Sequence, residues 1–113
     1  MLLRDTIIEG LLDGKAKDVV CLDMRNIDGS ICDYFVIGHG DSATHIEGMN
    51  RAVYKKCVKD LKEKPWKEEG KGNSEWILMD YVEVIAHIFY KDTRSLYKLE
   101  DLWGDAPKKE YQS

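Results

Sequence analysis

A glycine-rich segment that leads into a long amphipathic stretch is the strongest candidate for phosphate chemistry. It reads Gly38-His39-Gly40-Asp41-Ser42. Glycines before a helix N-terminus can present backbone N–H groups to a phosphate. Asp41, however, puts a negative charge where that phosphate would lie. We therefore interpret the segment as a tight turn followed by a helix N-cap, with Asp41, Ser42 or Thr44 as the capping residue.

The histidines and cysteines show no spacing typical of a metal or nucleophile site. Cys32, His39 and His45 match no closed zinc pattern. His87 lies inside an apolar run with no nucleophile motif to serve, which favours a hydrogen-bonded structural histidine over a general base. The three cysteines are widely spaced and odd in number, which indicates reduced thiols of a cytosolic protein. We expect no catalytic residue, no metal and no cofactor.

Large side chains alternate along the run from Trp76 to Tyr81. If this run is a strand, Trp76, Leu78 and Asp80 share one face, whereas Tyr81 lies on the other face with Ile77 and Met79. Two interpretations stay open. Trp76 can belong to the core, or it can anchor a partner protein, because large aromatic side chains dominate interface energetics.

Basic residues cluster on a long predicted helix. Arg51, Lys55, Lys59 and Lys62 share one face at spacings of four, four and three residues. A solvated helix face explains this pattern, and so does contact with nucleic-acid phosphates.

Apolar periodicity positions these candidates. Leu3, Ile7 and Leu11 repeat every four residues, as in an amphipathic helix, and continuous apolar runs indicate strands covered on both faces. The predicted elements are helices at 2–13, 43–63 and 96–103, strands at 18–24, 34–37, 76–81 and 84–90, and a short edge strand at 66–69.

This order of elements predicts one α/β domain, a mixed sheet with flanking helices, at residues 1–105. We expect 106–113 to be a flexible tail. The chain has 113 residues and a net charge of -4, which argues against a general nucleic-acid binder and against DNA as a partner. No run approaches the ~18 apolar residues of a membrane span, and the N-terminus lacks a signal-peptide pattern.

Three colinear groups of residues resemble the ribosomal silencing factor (Iojap-like) family, and the match extends over about residues 3–104. They are Asp33-Tyr34-Phe35-Val36-Ile37 followed by Gly38-x-Gly40-Asp41-Ser42; Trp76-Ile77-Leu78-Met79-Asp80-Tyr81 followed by Val84-x-x-His87-Ile88-Phe89; and Arg94-x-x-Tyr97-x-Leu99-Glu100-x-Leu102-Trp103.

The resemblance implies a five-stranded mixed sheet with a nucleotidyltransferase-like topology and no enzymatic activity. It implies a cytoplasmic factor that binds the conserved protein number fourteen of the large ribosomal subunit. There it would block the small subunit sterically and repress translation when nutrients are limited. It also implies that Trp76, Leu78, Asp80 and Tyr81 belong to the protein-binding surface. If the basic helix face contacts nucleic acid, we expect that partner to be ribosomal RNA beside the docked protein.

Two departures from the family pattern stand out. Val82 occupies a position that is usually glycine, so a turn with positive φ would be strained there. The segment before Gly70, usually an apolar strand, is Trp66-Lys67-Glu68-Glu69.

Two other functions compete with ribosome silencing. One is a nucleotidyltransferase-like enzyme at Gly38–Ser42, although the paired metal-binding aspartates of that fold are absent because Asp23 and Asp80 are single. The other is an adaptor that forms a homo-oligomer; for a silencing factor, we expect a homodimer when it is off the ribosome.

Overall fold

The periodicity of the sequence is realised in a computed structural model that describes residues 1–112. The five predicted strands and the two long predicted helices are all present within a few residues of their expected bounds. The elements are α1 (Leu2–Asp13), β1 (Lys17–Asp23), β2 (Tyr34–Gly40), α2 (Ala43–Leu61), β3 (Lys67–Glu69), β4 (Trp76–Asp80), β5 (Val84–Tyr90), α3 (Lys91–Tyr97), α4 (Leu99–Leu102) and β6 (Lys108–Tyr111).

Within residues 1–112 the sheet has six strands in the order β3-β4-β5-β2-β1-β6, so the expected count of five is wrong. Of these six strands, β2 and β5 pair in parallel, and the other neighbours pair antiparallel. The sixth strand lies where we expected a flexible tail. It pairs with β1 in the register Val19↔Tyr111, and Tyr111 packs against the core. Its exposed residues Lys108, Lys109 and Glu110 give it the polar composition of an edge strand. A search for apolar runs therefore does not detect it.

Helices α1 and α2 cover one face of the sheet, which we call the helix face. A Cβ atom on Gly10 would lie 2.8 Å from the Cα of Val53, so the two helix backbones approach closely at this point. The core here includes Ile7 and Leu11 from α1 and Met49 from α2, all inaccessible to solvent. Each such side chain stabilises the fold by about 1.5–3 kcal/mol relative to exposure.

The opposite face of the sheet has a thinner cover. Met24 and Cys32 of the β1–β2 connection, together with Leu99 and Ala106 near the C-terminus, close a second apolar cluster over the β1 and β2 side. Trp76 and Leu78 on β4 pack only at the margin of this cluster and stay partly exposed. The part of this face around β4 is therefore left without a helix.

The glycine-rich segment is not a tight turn, because β2 continues through Gly38 to Gly40. Gly40 is required there, since its Cβ would lie 2.9 Å from the His45 ring. The predicted N-cap is confirmed: the Ser42 hydroxyl accepts a hydrogen bond from the His45 N–H at 3.1 Å.

The expected single helix at 96–103 is two helices separated by Lys98, whose φ of +48° interrupts the helical backbone. Arg94 ties this region to the sheet. Its guanidinium donates to both carboxylate oxygens of Glu100, at 3.2 and 3.0 Å, and to the Lys17 carbonyl oxygen at 3.3 Å.

Val82 adopts the strained backbone that its sequence position suggests, with a φ of +75°. The Glu83 N–H donates to the Tyr81 carbonyl at 3.0 Å, which closes a three-residue turn around Val82. The Asp80 carboxylate accepts from the Val82 N–H at 2.7 Å and holds the turn in place.

We expect Val82→Gly to raise the free energy of unfolding by about 1 kcal/mol. A side chain at this φ costs roughly 1–2 kcal/mol, whereas glycine loses roughly 0.5–1 kcal/mol through its freer unfolded chain. Urea unfolding checks the change. Val82→Ala keeps the Cβ and serves as the control, with stability close to that of the original chain. A Val82→Gly variant less stable than the original would contradict the strain.

Candidate functional site

Strand β4 carries the side chains that we expected to bind a partner. Ile77 and Met79 are buried against the helix face, whereas Trp76, Leu78 and Asp80 point to the opposite face and are partly exposed. The predicted alternation is therefore present.

Trp76 is held in one orientation by its neighbours. Its indole N–H donates to Nδ1 of His87 at 3.2 Å. The ring centroid of Trp76 lies 4.8 Å from that of Phe89 and 5.0 Å from that of Tyr97. The indole is thus fixed before any partner arrives.

His87 is a buried, neutral histidine beneath this surface. It is 4% exposed, and burial lowers its pKa to about 4. Because Trp76 can only donate, Nδ1 of His87 must accept, and the proton of the neutral ring lies on Nε2. Within residues 1–112, Nε2 has no hydrogen-bond partner. Phe35 packs edge-on against the ring with 4.7 Å between centroids. This geometry suits a structural histidine that positions Trp76.

Tyr81 does not lie at this surface, although the family resemblance places it there. It is 5% exposed and packs in the core of the helix face, as strand alternation alone predicts. Burial raises the pKa of its hydroxyl above the ordinary value. Asp80 is at the surface, but its carboxylate already holds the Val82 turn.

Two aromatic side chains extend the surface beyond β4. Tyr97 is 56% exposed and contacts Trp76, and Trp103 lies 6.1 Å from Phe35 between ring centroids. Much of the Tyr97 ring is therefore available for contact outside the fold. We use the name open face for the side chains of Trp76, Leu78, Asp80, Tyr97 and Trp103.

The basic residues of α2 lie on the other side of the molecule. Arg51, Lys55, Lys59 and Lys62 are exposed, and none forms an ion pair within the described residues. The neighbouring Lys56 differs, because its ammonium lies 3.8 Å from Glu9 and 3.6 Å from Asp13 on α1. We use the name basic strip for Arg51, Lys55, Lys59 and Lys62. Because α2 covers the helix face, the basic strip and the open face point in opposite directions.

The segment considered for phosphate binding is filled by the protein's own groups. The Asp41 carboxylate lies 2.7 Å from the Lys17 ammonium, and the Asp41 N–H donates to Nδ1 of His45. Nε2 of His45 then donates toward the Gly14 and Lys15 carbonyls, which links the end of α1 to the start of α2. This arrangement is a structural junction.

A polar cleft of about 900 Å³, between β1, β2, α3 and β6, was not apparent from the sequence. At its base, Arg94 donates to Nδ1 of His39 at 2.9 Å. Burial and the adjacent guanidinium lower the pKa of His39. Each guanidinium nitrogen of Arg94 donates a hydrogen bond to another protein group. Arg94 therefore has a structural role at the base of the cleft.

Residues 1–112 lack the features of a metal site and of a membrane-spanning helix. They contain no cluster of three or more His, Cys, Asp or Glu side chains able to hold a metal ion. Among the helices described, none has the length and apolarity to cross a membrane.

Buried His87 should make the fold sensitive to acid. The unfolded histidine, with an ordinary pKa of 6.5, takes up a proton before the folded one, so stability is full above pH 6.5 and falls as pH drops toward 4. At 1.36 kcal/mol per pH unit, this group accounts for a loss of about 3 kcal/mol. Urea unfolding of His87→Asn, which cannot titrate, should show a shallower pH dependence; identical slopes would contradict a buried neutral His87.

The sequence of this chain is similar to a known protein family over almost its whole length. Residues 3–113 match the family model described as "Ribosomal silencing factor during starvation". The Ribosomal silencing factor RsfS of Bacillus subtilis is 40% identical over 96 residues, which cover 84% of this chain and 79% of that protein.

A more distant relative and a solved structure agree with this match. The mouse protein named "Mitochondrial assembly of ribosomal large subunit protein 1" is 32% identical over 105 residues, covering 88% of this chain and 44% of the mouse protein. A crystal structure of a Bacillus halodurans protein is similar with a TM-score of 0.81 at 33% identity, covering 96% of this chain and 97% of that one. The chain therefore belongs to the ribosomal silencing factor family, a family of regulatory proteins and not of enzymes.

Proposed function

We propose that this chain binds the large ribosomal subunit through its open face and keeps the small subunit from joining. The partner on the large subunit is the conserved protein number fourteen, at the side that meets the small subunit. The outcome is repression of translation in the cytoplasm when nutrients are limited. The single observation that carries the proposal is a partly exposed Trp76, oriented by its hydrogen bond to His87, on the part of the sheet face around β4 that the C-terminal helices leave uncovered.

The open face has the physical character of a protein-binding surface. Aromatic side chains provide most of the energy at interface hot spots, and Trp76 and Tyr97 contact one another here. Because Trp76 is already fixed by a hydrogen bond and two ring contacts, binding costs little side-chain entropy. A preorganised anchor of this kind favours tight docking on a protein surface.

Steric exclusion needs no chemical step, only a stable body of sufficient size. The domain measures 34 × 33 × 26 Å. A rigid body of these dimensions on the intersubunit side separates surfaces that must otherwise meet. The name of the mouse relative, which refers to the ribosomal large subunit, supports the choice of subunit.

The basic strip of α2 is proposed to contact ribosomal RNA next to the docked protein. Because the strip and the open face point in opposite directions, RNA and protein must approach the domain from different sides. Docking in a cleft between protein and RNA satisfies both surfaces.

Off the ribosome, we propose that the open face pairs with the open face of a second copy. This homodimer removes the same aromatic side chains from water. Its mass in solution reports the pairing. We also propose, from the family resemblance, that the topology is nucleotidyltransferase-like, with the parallel β2–β5 pair at the centre of the sheet.

Trp76→Ala should weaken binding to the purified large-subunit protein number fourteen by about thirtyfold, which corresponds to about 2 kcal/mol. Isothermal titration calorimetry measures this change. Trp66→Ala is a matched control, because Trp66 is an exposed tryptophan that is not part of the open face. We expect that variant to bind like the original chain.

Exclusion of the small subunit is tested with the Trp76→Ala variant and with Leu2→Ala, a control at an exposed residue of α1 outside both proposed contact surfaces. Separated subunits mixed with the original chain or with Leu2→Ala should yield fewer joined ribosomes in sedimentation, whereas Trp76→Ala should leave joining nearly intact. A folded Trp76→Ala variant that binds and blocks joining at full strength would refute the open face as the docking surface.

A further inference from the structure

Trp66 is an exposed tryptophan with no role in the open face. It is 73% exposed and lies between the end of α2 and the start of β3. Its backbone N–H donates to the Asp80 carbonyl at 2.8 Å, so the main chain is anchored to the sheet edge while the indole extends into solvent. Tryptophan is enriched at interfaces because its large ring is apolar and its N–H is polar, so an indole presented in this way is suited to contact a partner.

Trp66 lies close to the C-terminal end of α2. Lys62, the left-handed C-cap of α2, is four residues before Trp66, so their Cα atoms lie within about 14 Å. Strand β3, which follows Trp66 directly, contacts α2, because Glu68 accepts a hydrogen bond from the Asn50 amide. Trp66 is therefore a neighbour of the C-terminal end of the basic strip.

The strip is locally positive on an acidic protein. Arg51, Lys55, Lys59 and Lys62 extend for about 16 Å along α2. Near the start of the strip, Arg51 and Lys55 border a shallow cleft of about 190 Å³ together with Tyr54 and Lys71. The nearby Glu68 carboxylate is occupied by Asn50 and Lys71, at 3.1 and 3.3 Å. The four cations of the strip therefore remain available to an anion.

We propose that Trp66 and the basic strip bind an unpaired segment of RNA, with one base stacked on the indole and the backbone phosphates along α2. A flexible single strand alternates phosphates with free base faces and so satisfies both the cations and the indole. A duplex offers phosphates but keeps its bases stacked internally, and an acidic peptide offers charge alone. The inference rests on the RNA contact in the proposed function and specifies its chemistry.

Oligouridine and an RNA duplex of equal nucleotide content are the probes, used with the full chain at low salt. Fluorescence anisotropy should show that Trp66→Ala weakens oligouridine binding about tenfold or more, because stacking on an aromatic side chain contributes that much per base. Trp66→Phe should retain most of the affinity, and duplex binding should not change. Lys55→Gln and Lys59→Gln should each lower the salt dependence of oligouridine binding by about 0.7 in the log–log slope.

Three outcomes would overturn the inference: no oligouridine binding by the original chain, equal affinity of Trp66→Ala and the original chain, or equal losses with oligouridine and duplex. Competition by polyglutamate at the same concentration as oligouridine would also overturn it in favour of an acidic protein partner. Trp76→Ala is the control and should bind oligouridine normally. Loss of RNA binding with intact binding to protein number fourteen leaves the docking proposal standing, so the two can fail separately.

Discussion

The two long helices can cover only one face of the sheet, and the rest of the molecule follows from this constraint. Close backbone approach at Gly10 lets α1 and α2 seal the helix face. The other face is sealed by short C-terminal helices and a connection, which leave the region around β4 open. A tryptophan there is neither core nor free side chain, because the buried His87 accepts its N–H and sets its orientation. The open face therefore results from incomplete coverage of the sheet, and the hydrogen bond from Trp76 to His87 gives it a defined shape.

The same constraint separates the two candidate contact surfaces. The basic strip belongs to the outer side of α2, and the open face belongs to the opposite side of the sheet. A net charge of -4 is compatible with local RNA contact because the basic strip forms no ion pair within residues 1–112, whereas Lys56 beside it lies near Glu9 and Asp13 of α1. The domain is therefore suited to a position between a protein and an RNA, not to a single flat partner.

Much of the fold could be predicted because buried residues produce apolar patterns in the sequence that are typical of helices and of buried strands. The stripe Leu3, Ile7, Leu11 and the apolar run of β5 have no other explanation. Two features could not be predicted, because they depend on the local backbone or on a polar sheet edge. β6 is a charged strand without an apolar pattern. Lys98 interrupts a helix with a positive φ, which is not a typical property of lysine. On β4, alternation correctly separated Trp76 and Leu78 from Tyr81, whereas the resemblance put Tyr81 at the surface and it is buried. The turn at Val82 was foreseen because glycine is the usual residue at that position.

The most direct test of the open face as the docking surface is hydroxyl-radical footprinting of the monomeric chain, free and bound to purified large subunits. The account predicts that Trp76 and Tyr97 lose reactivity on binding, since both are accessible in the free domain. Leu2 on the N-terminal helix, which is exposed and remote from β4, serves as the internal reference. Unchanged reactivity of Trp76 and Tyr97 in the bound chain would contradict the account.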